Sequence, residues 1–155
     1  DKMVPPAYKS IKNSEIQEIS IDNGKLRLLA GEYNGATGYK SKYLPLDYYD
    51  IHLNPNSSIV LDTDSNSSIM MFTLLGDAYI SGELIKEKTA VKLSQGNSVE
   101  IKSTDTKAQV LFVSSTRLDE SIAWGGPIVM NTKDELNKAF QDLKDGTFLK
   151  TGIHY

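Results

Sequence analysis

At 155 residues, 39% hydrophobic and 24% charged, the chain is sized for one globular domain with enough apolar material for a core. Its 17 basic and 20 acidic residues leave a formal net charge of -3, and neither sign gathers into a stripe, which argues against nucleic-acid and membrane-surface partners. The absence of cysteine excludes disulfides, thiolate catalysis and cysteine-based zinc sites, and no apolar run approaches the roughly 20 residues of a membrane helix.

The first residues, DKMVPPAYKS, have neither the apolar region of a signal peptide nor an initiator methionine, so a cytoplasmic protein whose beginning has been cut off is the expectation. Residues 1–15 read as a linker arm, with Pro5-Pro6 favouring an extended chain. From Ile16 the run IQEISI alternates, Asp22-Asn23-Gly24 supplies hairpin turn chemistry, and KLRLLAGEY resumes alternation with Leu26, Leu28 and Ala30 on one face. Residues 34–45 carry two glycines and a proline and read as a loop or irregular edge. DYYDIHL and SSIVL are strand candidates on either side of Asn54-Pro55-Asn56. In SSIMMFTLLGDAYISG, the most apolar stretch, Gly76-Asp77 breaks the run into two strands joined by a tight turn or bend. TAVKL, SVEIK and AQVLFVSS complete eight to ten short strands with no helical pattern between them. That spacing predicts an antiparallel sandwich or barrel over 16–123, because a parallel sheet would need crossover helices.

The end of the chain differs. An apolar segment interrupted by Gly126-Pro127 runs into Thr132, followed three residues later by Glu135, a capping-box spacing. Leu136, Ala139, Phe140 and Leu143 then fall at i, i+3, i+4 and i+7, and Gly146 stops the pattern. The extension over 124–155 is thus predicted to hold a helix at 132–145 with one apolar face that must dock on something.

GGPIVMNTKDELNKAFQDLKDGTF (125–148) resembles the closing segment of the pirin family, with Gly126 to Thr132 the most specific part. The resemblance continues through LLAGEYNG (28–35), DYYDIHLNPNSS (47–58), LLGDAYI (74–80) and LSQGNSVEI (93–101), and DKMVPPAY resembles the linker between the two cupin barrels of a pirin. It implies an all-β fold, an antiparallel, jelly-roll-like cupin barrel with a C-terminal α-helical extension. It further implies that this chain is similar to the C-terminal half of a bicupin, with the N-terminal half absent. Pirin-like proteins hold iron or another divalent metal through three histidines and a glutamate in the N-terminal barrel, and some oxidise flavonols such as quercetin with dioxygen. The Fe(II) or its substitute is accordingly expected in that half and no cofactor in this chain, which acts as a structural or protein-interaction partner. The alternative is a stand-alone cupin enzyme or small-molecule binder, quercetin 2,3-dioxygenase-like, with a degenerate site near His52.

The residues themselves support the first reading. With only His52 and His154, a three-histidine site is arithmetically impossible. Alternation on DYYDIHL puts Tyr49, Ile51 and Leu53 on one face and Tyr48, Asp50 and His52 on the other. Asp50 and His52 are the nearest thing to metal ligands, with Glu100 as a distant third group, but a partly exposed histidine pairing with Asp50 or a backbone carbonyl is the favoured reading, since two same-face polar residues are ordinary on a half-buried strand. Asp62 and Asp64 lack the glycine and glutamate of an EF-hand loop. Serines lack Gly-x-Ser-x-Gly context, so no catalytic residue is assigned. Tyr33, Tyr48 and Tyr49 are candidates to line a pocket. In the family the C-terminal segment packs across the other barrel. Ile128, Val129, Met130, Leu136, Phe140 and Leu143 are therefore expected to form an exposed interaction patch, covered by the missing N-terminal cupin or by a second copy in a homodimer.

Overall fold

Alternating burial runs through nearly every strand of the computed structural model, which describes residues 3–5 and 8–150. Pro6 of the expected linker arm and His154 lie outside the described residues. Of the described residues, 11–117 cluster as one unit, and those before residue 11 together with 118–150 as another.

In the first unit the strands are β1 (Gln17–Ile21), β2 (Gly24–Ala30), β3 (Glu32–Tyr33), β4 (Ala36–Thr37), β5 (Leu46–Leu53) and β6 (Ser58–Asp62). They continue with β7 (Ser67–Leu75), β8 (Ala78–Ile80), β9 (Glu83–Ile85), β10 (Ala90–Lys92), β11 (Ser98–Ser103) and β12 (Ala108–Thr116). Six strands make one antiparallel sheet in the order β1-β2-β5-β12-β7-β10, and four make a second in the order β6-β11-β8-β9. From β5 onward the chain passes back and forth between the two sheets, the connectivity of a jelly roll. Leu26 and Leu28 of β2, Ile51 and Leu53 of β5, Met71 of β7 and Val110 of β12 point inward from the larger sheet. They meet Leu61 of β6, Ile80 of β8 and Val99 and Ile101 of β11 in one apolar core. Burying each such side chain contributes about 1.5–3 kcal/mol.

The irregular segment after β2 holds its own two-stranded hairpin, β3 with β4, and Ala30 bridges to Tyr39. Gly76 and Asp77 do interrupt the long apolar run, as expected, but the break is a corner: β7 and β8 belong to different sheets. Gly76 has φ +70°, and a Cβ there would lie 2.2 Å from the Lys107 carbonyl oxygen, so only glycine fits the bend.

In the second unit, β13 (Ala123–Gly125) and β14 (Ile128–Met130) form a hairpin, and α1 (Lys133–Lys144) follows. Thr132 Oγ1 accepts from the Glu135 amide at 3.2 Å, and Glu135 Oε2 accepts from the Thr132 amide at 2.9 Å and the Asn131 amide at 3.1 Å. Thr132→Ala removes this cap and is expected to cost about 1 kcal/mol, read as a fall in helical circular dichroism that precedes loss of the sheet signal on heating. Asp145 closes the helix and Gly146, at φ +70°, ends it. Gly125 lets the helix approach the hairpin: a Cβ there would lie 3.1 Å from Phe140 Cε2 and 3.3 Å from Leu136 Cδ2.

The expected interaction patch is only partly open. Ile128 and Ala139 are buried, and Met130 and Leu136 are half-buried, because the hairpin and the helix pack on each other. Val129, Phe140 and Leu143 remain exposed, joined by Trp124 at 74% exposure.

Candidate functional site

Cross-strand register assembles the main polar cluster. On the outer face of the six-stranded sheet, Arg27 of β2 stands opposite Asp50 of β5, Lys25 opposite His52, and Gln109 of β12 opposite His52 from the other side. Glu18 of β1 stands opposite Arg27. Arg27 Nη1 donates to Asp50 Oδ2 at 3.0 Å, and Gln109 Nε2 donates to Asp50 Oδ1 at 2.7 Å. The rest of the guanidinium reaches Glu18 Oε1 at 3.2 Å and Asn13 Oδ1 at 2.6 Å, while Lys25 Nζ holds both Glu18 oxygens at 3.0 Å.

Although Asp50 points away from the core, its side chain is only 6% exposed, because the long side chains of Arg27 and Gln109 close over it. Burial pushes its carboxyl up, but the Gln109 amide, His52 and the Arg27 guanidinium outweigh that and hold it below the usual carboxylate range. His52 Nε2 lies 3.0 Å from Asp50 Oδ2 and is shut off from solvent, yet it is not in hydrogen-bond alignment with that oxygen or any other acceptor. The contact is electrostatic proximity rather than a well-made hydrogen bond.

A metal of the three-histidine, one-glutamate kind does not fit these residues. The Asp50 oxygens are occupied by Arg27 and Gln109, so a divalent ion would have to displace a guanidinium. Glu100 lies on β11 in the other sheet, exposed and opposite Val60, and does not join Asp50 and His52. Among the described residues no three potential ligands of the His, Cys, Asp or Glu type come together.

The three candidate tyrosines divide. Tyr49 is buried, stacked on Phe112 at 5.3 Å between ring centres, and meets Tyr33 edge-on at 5.9 Å. Its hydroxyl donates to the Glu32 carbonyl at 2.6 Å, and burial beside Asp47 pushes the phenol well above its usual range. Tyr48 faces the opposite side of β5, so the three share no pocket. Tyr33 and Tyr49 serve core packing.

Two cavities lie elsewhere. One of about 650 Å³ opens beside β9 and β10, edge strands of the two sheets, and includes Ile80, Ile85, Val91 and Leu93. The other, about 360 Å³, lies beside the polar cluster and includes Lys25, His52, Asn54, Lys107 and Gln109. Reading single strands missed Arg27 and Gln109, since their role depends on which residues the register sets side by side.

A two-sheet antiparallel jelly roll with an apolar interior is the architecture of a cupin. The Pirin C-terminal cupin domain family matches residues 48–149, and the chain belongs to the pirin family. Human pirin is 31% identical over 94% of this chain and 52% of its own length. A Thermoplasma acidophilum protein provisionally named a quercetin 2,3-dioxygenase is 32% identical over 96% of this chain and 60% of its own. The crystal structure of a quercetin 2,3-dioxygenase from Acinetobacter baumannii superposes with a TM-score of 0.86 at 29% identity, over 95% of this chain and 52% of that one. This chain therefore spans little more than half the length of the relatives it matches.

Proposed function

We propose that this chain is the structural and protein-interaction half of a two-cupin protein, and that metal-dependent chemistry belongs to a companion cupin. The observation that carries this reading is the make-up of the space between the two sheets: its core is built from Leu26, Leu28, Ile51, Met71, Val110 and Phe112. Side chains of that kind supply stability and no lone pairs. The flavonol oxidation in the names of several relatives falls, on this reading, to the companion. The exposed apolar residues of the second unit, Phe140 and Leu143 on α1 with Trp124 and Val129 on the hairpin, supply the contacts that meet it, or that pair two copies of this chain as a homodimer. No helix among the described residues is long and apolar enough to cross a membrane, and a cytoplasmic setting is part of the proposal.

The test is elemental analysis of the chain after incubation with ferrous iron and desalting. Iron well below one atom per chain is the expected result. A value near one per chain would overturn the assignment and make flavonol oxidation by the isolated chain the next assay.

A further inference from the structure

We propose that the cavity beside β9 and β10 is a binding site for a neutral, amphipathic small molecule. Here the two sheets have no strand pairing to join them: β9 ends one sheet and β10 the other. Ile85, Val91 and Leu93 pack against the core yet are only half-buried, so the core's own edge is open to solvent at this point. The volume of about 650 Å³ falls within the roughly 300–1,000 Å³ of small-molecule pockets.

The lining specifies the chemistry of the occupant. The lining mixes Ile80, Ile85, Val91 and Leu93 with Ser81, Ser94, Gln95 and Ser98, groups that can both donate and accept hydrogen bonds. The two charged lining residues, Glu83 and Lys92, have opposite sign, so the lining selects neither anions nor cations. An apolar body bearing hydroxyl or carbonyl groups satisfies both sets. A strongly charged ligand would set its charge against Ile80, Ile85, Val91 and Leu93 with no matching excess of opposite charge in the lining. The site uses none of the Asp50 cluster, and the proposal stands independently of the companion-half reading.

The experiment titrates the 155-residue chain with N-phenyl-1-naphthylamine, an uncharged probe that brightens in apolar surroundings, and follows amide ¹H–¹⁵N shifts in parallel. Saturable binding at one probe per chain, with shifts confined to residues 80–98, is expected. Ser94→Trp, at an exposed lining position, should fill the cavity and weaken the probe by about tenfold or more with an unchanged unfolding midpoint. Shift mapping on the unaltered chain decides the matter even if that variant folds poorly. Absence of saturable binding, or shifts centred on residues 122–143, would overturn the proposal in favour of general adhesion to the exposed apolar face.

Discussion

Asp50→Ala destabilises the strand-rich unit by about 2–4 kcal/mol, as measured by urea unfolding at pH 7. Removing one partner of a buried ion pair costs about 3–5 kcal/mol because the remaining charge is stranded. The Arg27 side chain is 21% exposed and keeps Glu18 and Asn13, which lowers the figure. Gln109, left without its acceptor, adds back part of it. Replacing both charges with apolar groups, Asp50→Leu with Arg27→Met, is expected to cost less than Asp50→Ala alone. The cluster's contribution also has a pH signature. Since the folded state holds the Asp50 carboxyl below its usual value, its contribution is fully present above the ordinary carboxylate pKa of about 4 and disappears as pH falls through the lower folded value. The advantage of the wild type over Asp50→Ala should therefore shrink below about pH 4. An advantage constant from pH 7 to pH 3 would mean that Asp50 acts through packing and not through its charge.

That cluster also marks where sequence reading ran out. Alternation on β5 correctly divided Tyr49, Ile51 and Leu53 from Tyr48, Asp50 and His52, because a strand with one buried face writes its pattern with period two. It could not reveal that Asp50 is buried on the outer face, since the cover comes from β2 and β12, and Gln109 lies 59 positions away in sequence. The helix was legible almost to the residue, Thr132 and Gly146 both being local signals. By contrast, the β13–β14 hairpin, three residues to a strand, is too short to show alternation and has Gly126-Pro127 at its turn. The docking of α1 on that hairpin hid Ile128, which the resemblance to the family's closing segment had placed in the open.

Phe140→Asp converts the dimer proposed for this chain to monomer at micromolar concentration while leaving the barrel's unfolding midpoint unchanged. One edge of the Phe140 ring rests against Gly125, yet 43% of the residue is exposed. Leu143, three residues further along the helix, is 46% exposed, while Val129 and Trp124 pair across the hairpin on the face alternate to Gly125 and Ile128. An aromatic anchor in a pairing surface typically carries about 2 kcal/mol or more of binding, so its loss corresponds to at least about a thirtyfold weaker association. A buried carboxylate with no cation opposite adds its own desolvation cost. Within the chain the ring's contact is with the hairpin at Gly125, and both residues belong to the second unit. Lys133→Ala, at the exposed start of the same helix, is the control and should leave the sedimentation coefficient unchanged. If the wild type sediments as a monodisperse monomer, a second copy is not what covers this face, and the proposed companion cupin becomes the occupant to test by co-purification.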